Sequence, residues 1–208
     1  RIGPADLNAY IAEQESLVPE LDGLRILDKE GFVRFGKDIP SSHPVNLSDR
    51  EFFIRARDDA SAGLITSGPV FARIAQKWVM VFARRLTATD GSFEGVVYAN
   101  LATSQFEKVF ASVALGPHGA ATLRTIDMAL VHRVPDTKNA VGSKDVSNEL
   151  REILQARPEG GEYIAATALD GIERSNAYRR LSHHPFYVLV GIGTKDSLDG
   201  WTQNVLIV

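Results

Sequence analysis

Apolar and polar positions along this chain form short alternating segments, and the second half repeats the order of the first. Leu24-Arg25-Ile26-Leu27-Asp28 and Gly31-Phe32-Val33-Arg34-Phe35 predict two strands around a tight turn. Thr122 to Asp127 and Ala129 to Arg133 predict the same hairpin again. Late in each half a run closes on Arg-Arg-Leu, from Trp78 to Leu86 and from Arg174 to Leu181. A turn follows, Asp90-Gly91 or His183-His184-Pro185, and then a strongly apolar strand, Gly95 to Leu101 or Phe186 to Ile192. A repeat this long is a whole small domain rather than a solenoid unit. Two tandem copies of one sheet domain suggest a scaffold for binding.

Helical spacing fills the gaps. Pro4 to about Val18 predicts a helix with Leu7, Ile11 and Val18 on one stripe, ended by Pro19. Ser48-Asp49-Arg50-Glu51 has the form of a capping box opening a short helix to about Asp59. Leu64 to Phe71 predicts a further strand, which makes five in the first half. Ser104-Gln105-Phe106-Glu107 is a second capping box, with Phe106, Val109, Phe110 and Val113 on one helical face and Gly116-Pro117 as the stop. That helix is expected to join the domains. After a polar loop from Pro135 to Lys144, Val146, Leu150, Ile153 and Leu154 share a face of another helix, broken by Pro158-Glu159-Gly160-Gly161. Lys195 to Val208 predicts a last helix whose apolar end suits the start of a membrane span. The expected layout is a stalk helix over 1–22, domains over 23–103 and 104–195, and an exit helix over 196–208. Hairpin-bearing antiparallel sheets with flanking helices define an α+β class.

With 208 residues, two domains of about a hundred residues each are at the small end of the usual range. A hydrophobic fraction of 44% supplies two cores, and a net charge of −3 with interspersed signs offers no basic face for nucleic acid. No apolar run is long enough to cross a bilayer. Cysteine is absent, which excludes disulfides and thiolate metal sites and leaves the compartment open. The first residue is Arg1 rather than Met, so a piece of a longer protein is expected.

The N-terminal helix leading into Leu24 to Asp28, the Ser48-Asp49-Arg50-Glu51-Phe52-Phe53 segment and Asp90-Gly91-Ser92-Phe93-Glu94-Gly95-Val96-Val97 together resemble a known family. Asp127 to Pro135 and the closing Ser197-Leu198-Asp199-Gly200-Trp201 fit it too. The chain resembles the double Cache, or PDC, sensors: tandem PAS-like extracytoplasmic modules of bacterial membrane proteins. The resemblance covers nearly the whole chain. It implies two five-stranded antiparallel PAS-like domains on a long N-terminal helix, held between membrane helices of a histidine kinase, diguanylate cyclase or chemoreceptor. The Asp-Gly-x-Phe-x-Gly-Val-Val stretch and Arg133-x-Pro135 are most similar to sensors of diguanylate cyclases or kinases.

In amino-acid-binding members of that family the ligand lies in the first domain, on an Arg-x-Trp-Tyr motif of the helix and an Asp near the end of the last strand. This chain has Arg50-Glu51-Phe52-Phe53 and, at the strand position, Asn100. A guanidinium at Arg50 is a natural bidentate partner for a carboxylate. Phe52 and Phe53 keep an aromatic wall without the hydroxyl. Asn100 lacks the charge that would hold an ammonium group, so a carboxylate without an amine is the expected ligand. Alternation puts Val96, Tyr98 and Asn100 on one face of the last strand, and Trp78, Met80, Phe82 and Arg84 on one face of the strand before it. Trp78 and Phe71 are either ligand wall or core. Alternatively, Arg50 pairs with a nearby acid and the pocket is vestigial.

Other features have plainer explanations. Structural salt bridges account for one arginine in each of Arg84-Arg85 and Arg179-Arg180, and Asp28 and Asp127 suit turn positions. His183-His184 lacks a third ligand at metal-site spacing and reads as a solvated turn. Asn46-Leu47-Ser48 matches a glycosylation sequon, but Ser48 is better explained as the helix cap. No hydrolase elbow, zinc-protease motif or phosphate loop is present, and Gly191-Ile192-Gly193 has Asp196 where a dinucleotide fingerprint needs glycine. No enzyme, metal or cofactor is expected. The expected function is a ligand-sensing region outside the cytoplasm, in the periplasmic part of a bacterial inner-membrane protein. The expected partners are a small carboxylate and a second copy of the chain, joined along the N-terminal helix. The alternative is a dimerising spacer that binds no small molecule.

Overall fold

The computed structural model describes residues 4–40, 43–111, 113, 115–137 and 139–196, so from residue 197 onward the expected exit helix lies outside them. The chain divides into two compact units, the first ending at Gln105 and the second starting at Phe106. In the first, α1 (Pro4–Ser16) precedes β1 (Leu21–Asp28) and β2 (Val33–Gly36), then α2 (Glu51–Asp58). β3 (Ile65–Thr66), β4 (Val70–Phe71), β5 (Trp78–Thr87) and β6 (Phe93–Ala102) complete it. The sheet is antiparallel with order β2-β1-β6-β5-β3, and β4 also pairs with β5. The second unit holds α3 (Phe106–Ala111), β7 (Ala120–Thr125), β8 (Leu130–Val134), α4 (Asn148–Ala156), β9 (Gly160–Ala166), β10 (Glu173–Arg180) and β11 (Phe186–Gly193). Its order, β8-β7-β11-β10-β9, is the same path through five strands. Among the described residues no helix is long and apolar enough to cross a membrane.

Period-two alternation builds the first core. Leu27, Val79, Val81, Ala83, Val96 and Tyr98 point to one face and pack beneath Phe52, Phe53 and Ala56 of α2. The helix ends where Arg85 donates to the carbonyls of Ala56 and Arg57, both at 2.8 Å, with its guanidinium 4.9 Å from the Phe93 ring centre. A cation there satisfies carbonyls that have no partner within the helix. Arg85 thus serves a helix end rather than the expected salt bridge, whereas Arg180 does pair with Glu159, at an exposed position. Asp28 acts as the expected turn residue, its Oδ1 accepting from the amides of Glu30 and Phe32.

Several expectations are corrected. Ser48 does not cap α2: its Oγ donates to Asn46 Oδ1 at 2.6 Å, the turn is held by Arg50 N–H on Leu47 O, and the cap position falls to Arg50. The strand expected over Leu64 to Phe71 is two short pieces, because Pro69 cannot donate to a ladder. The first sheet therefore has six strands rather than five. Ser104 sits inside a 3-10 turn, Thr103–Gln105, instead of capping a helix. The following helix is short, so Val113 lies past its end, and Val113 and Val109 are exposed while Phe110 is buried. The stalk expected to run to residue 22 ends as a helix at Ser16, and Ile11 is buried while Val18 is exposed.

The second unit buries charge as well as apolar surface. Leu150 of α4 packs with Tyr178, Tyr187 and Leu189. The two tyrosine hydroxyls donate to Arg157 O and Pro158 O, at 2.6 and 2.7 Å, just past the helix end. Arg133 and Arg174, 4% and 1% exposed, share the carboxylate of Asp170, at 2.5 and 2.8 Å. Burial alone would raise the Asp170 carboxyl, but bonds from Arg174, Thr167, the Ile172 amide and Arg133 hold it well below the usual carboxylate range. A carboxyl lowered on folding contributes its full stability above its unfolded pKa of about 4 and loses it as pH falls toward the folded value. Asp170→Asn is therefore expected to destabilise the chain by about 3 kcal/mol at neutral pH in urea unfolding, since two buried cations lose their partner. It should also flatten the wild-type loss of stability below about pH 4. Equal acid sensitivity in both proteins would remove Asp170 as the cause.

Candidate functional site

Between α2 and the β5–β6 hairpin, the first unit encloses a cavity of about 20 Å³. Arg50, Phe52, Phe71, Tyr98 and Asn100 line it, with Val79 and Val81 from β5 beneath. The register explains the floor. Val81 lies opposite Asn100 and Ala83 opposite Tyr98, so a polar pair faces small aliphatic side chains across the hairpin. The Phe52 and Tyr98 rings meet at a tilt of 35°, 5.3 Å between centres. Arg50 donates from Nη2 to Phe71 O at 3.0 Å, which pulls the β4 backbone against the start of the helix.

Phe53 and Trp78 are not in this cavity. Phe53 is the next residue along α2 from Phe52, so it points away, and it packs edge-on against Phe93 at 5.5 Å in the core. Trp78 lies on the β5 face opposite to Val79 and Val81; it is 37% exposed and meets Phe71 edge-on at 5.9 Å. Phe71 itself is half exposed and is held at the pocket by its carbonyl.

Two arginines, one lining this site and one beside Tyr98, escaped sequence reasoning. Arg73 lines the cavity and forms a forked pair with Asp49, at 2.8 and 2.6 Å, with a further bond to Asn46 O. That hydrogen bond from Arg73 holds the Asp49 carboxyl below its ordinary value despite the opposing effect of desolvation. The pair ties the turn after β4 to the segment before α2. Arg25 is 1% exposed and lies opposite Tyr98 in the register. Gly23 makes room for it, since a Cβ there would overlap the guanidinium. Its Nε donates to Lys37 O at 3.0 Å, while its Nη1 has no partner among the described residues. The signal was legible in the Gly23-Arg25-Leu27 alternation, which puts an arginine at a core position. Burial pushes the Tyr98 hydroxyl up to about 12 although the Arg25 charge beside it acts in the opposite direction.

The most informative atom is Asn100 Oδ1. Asn100 is 3% exposed, and this oxygen is buried with no hydrogen-bond partner among the described residues. A buried orphan acceptor costs about 1 to 3 kcal/mol, so the site is poised for a donor. No grouping of His, Asp or Glu among the described residues could hold a metal ion.

Residues 103–191 match the dCache_1_like family, described as a histidine kinase sensor domain. Among solved structures, the extracellular domain of a protein described as histidine kinase rpHK1S-Z16 superposes with a TM-score of 0.81 at 28% identity. That match covers 97% of this chain and 82% of the other. The ligand-binding domain of the Pseudomonas aeruginosa PAO1 amino-acid chemoreceptor PctB, solved with L-Arg, matches at TM-score 0.69 and 19% identity, over 97% and 77% of the two chains. The ligand-binding domain of Mlp24 with asparagine matches at 0.66 and 16%, over 93% and 76%. Comparison with curated proteins returned no match. The fold is that of extracellular Cache sensor domains, and the double Cache resemblance seen in the sequence holds.

Two substitutions separate floor from core. Asn100→Leu removes the orphan acceptor and is expected to stabilise the ligand-free chain by about 1 kcal/mol in urea unfolding. Phe53→Ala leaves the pocket lining intact but opens the core, at a cost of about 3 to 5 kcal/mol. Destabilisation by Asn100→Leu would mean that its oxygen is satisfied in solution.

Proposed function

We propose that the chain is the extracytoplasmic sensor region of a membrane-bound bacterial signalling protein, non-enzymatic, with a small ligand bound in the first unit. The observation that carries this is the pairing of an arginine at the uncapped start of α2 with a buried, unpartnered acceptor at Asn100. A helix start without a side-chain cap favours negative charge, and Arg50 adds a fork for a carboxylate. Asn100 then receives a donor from the other end of the ligand. The neutral amide favours a hydroxyl or amide N–H over an ammonium ion, so hydroxy acids are preferred to free amino acids. The family match over 103–191 supports a histidine kinase output over a diguanylate cyclase.

The size of the cavity favours a second reading. At about 20 Å³ it has room for roughly one or two water molecules. As a sensor, the chain must open by moving the turn after β4, which the Arg73–Asp49 pair holds in place. As a spacer, it never opens. Tyr10, Leu17 and Val18, all exposed, are large apolar positions of the N-terminal segment left for a second copy, since Ile11 is buried within its own unit, and Tyr10 and Leu17 lie a heptad apart. Such a parallel dimer would carry a signal by two arrangements of these segments with different ligand affinity.

A thermal-shift screen of hydroxy acids, dicarboxylates and amino acids tests the sensing reading, because a ligand at a hundredfold excess over Kd stabilises the folded state by about 2.7 kcal/mol. Arg50→Ala is expected to weaken binding of any hit by about 2 kcal/mol, and Asn100→Asp to shift preference toward ammonium-bearing ligands. No hit in the screen, or a hit indifferent to both substitutions, favours the spacer or moves the site elsewhere. Leu17→Asp is expected to lower self-association in sedimentation without changing ligand affinity.

A further inference from the structure

The second unit repeats the pocket with its polar side chains exchanged across the hairpin. Counting back from each Arg-Arg-Leu, Val81 faces Asn100 and Ala83 faces Tyr98 in the first unit. At the matching register of the second unit, Asn176 faces Gly191 and Tyr178 faces Leu189. The asparagine and tyrosine have moved to the opposite strand. Gly191 is what permits this, since a Cβ there would overlap Asn176 Oδ1. The resulting cavity is larger, about 40 Å³, room for roughly three waters.

Its walls carry an excess of positive charge. Arg124 and Arg133 both line it and are each 4% exposed. Arg133 shares its one carboxylate, Asp170, with Arg174. Arg124 has no carboxylate within ion-pair distance among the described residues. It donates instead to the carbonyls of Met128, Ser143 and Asp145, at 2.5, 3.2 and 3.0 Å. Those bonds use three of the five N–H donors of a guanidinium. The Asp145 carboxylate is exposed and accepts from Ser143. Burial, with the Arg133 charge adding to it, pulls the Arg124 pKa down to about 10 although Tyr163 and Asp145 act in the opposite direction. Burial likewise pushes the Tyr163 hydroxyl up to about 12, so it stays protonated and able to donate.

We infer that this pocket is a second, independent ligand site, which takes a small monocarboxylate of two or three carbons between Arg124 and Arg133. The two guanidinium groups supply the charge that the buried walls lack. Tyr163 and the first turn of α4 at Ser147 present further polar groups, and Val146, Leu150 and Leu189 accept a short aliphatic tail. The apolar part of the lining selects a carboxylate over an inorganic anion, and the cavity volume excludes longer chains. No residue of this site lines the first-unit pocket.

Calorimetric titration of the whole chain with acetate and propionate, against chloride, sulfate and glycine, tests it. Acetate or propionate is expected to bind in the wild type and in Arg50→Ala alike, and to bind at least about tenfold more weakly to Arg124→Met, which loses a charged hydrogen-bond donor. If Arg124→Met does not fold, side-chain ¹⁵N resonances of arginine in the wild type serve instead, with Arg124 and Arg133 shifting on acetate addition. No carboxylate binding, equal response to chloride and sulfate, or loss of binding in Arg50→Ala with retention in Arg124→Met would each overturn the proposal.

Discussion

The pairing register of the last hairpin in each unit governs what lies beneath its helix. In the first unit Val79, Val81 and Ala83 of β5 meet Val96, Tyr98 and Asn100 of β6 on a single face, and α2 closes over them. Slipping that register by one residue would send this set to the other side of the sheet and bring Arg84 and Glu94 inward. The helix is only eight residues long, so its position depends on this face and on Arg85 at its C-terminal carbonyls. Pocket, core and helix end thus depend on one ladder. The second unit uses the same ladder with Tyr178 and Tyr187 in the place of the arginine as donors near the end of α4.

Buried polar groups are the cost of this arrangement and the source of its chemistry. Arg25, Arg124, Arg133 and Arg174 are each at most 4% exposed, yet Asp170 is the only carboxylate among the described residues in ion-pair contact with any of them. A cation shut away without a counterion is unfavourable unless dense hydrogen bonding or an incoming anion offsets it. Carbonyls meet part of that need, and an anion in the proposed sites would meet more of it. A domain selected only for stability would fill these positions with aliphatic side chains, as the close packing of Val79, Val81 and Val96 in the core already does beside them.

Much of this was legible in the sequence because strands write their faces with a period of two. That Val96, Tyr98 and Asn100 share one face follows from alternation alone, and the repeated hairpin order follows from the recurring strand and turn segments. Local capping was less legible. Ser48 fits a capping box, but Asn46 offers its hydroxyl a competing acceptor two residues away and the helix starts later. Trp78 was ambiguous because alternation assigns a residue to a face without saying which face is the core. Arg25 and Arg124 were overlooked because an arginine in a strand usually marks solvent; Gly23 and the parity of Leu27 point to Arg25, whereas β7 is buried at consecutive positions around Arg124 and shows no alternation to reveal it. The Arg73–Asp49 fork joins residues 24 apart in sequence, and no local pattern announces such a pair.

A crystal structure grown with the hit at saturating concentration measures the central claim directly. The account predicts a carboxylate on Arg50, a ligand donor on Asn100 Oδ1, and the turn after β4 displaced to admit it. An unchanged cavity holding only water, with Arg73 still on Asp49, would contradict it.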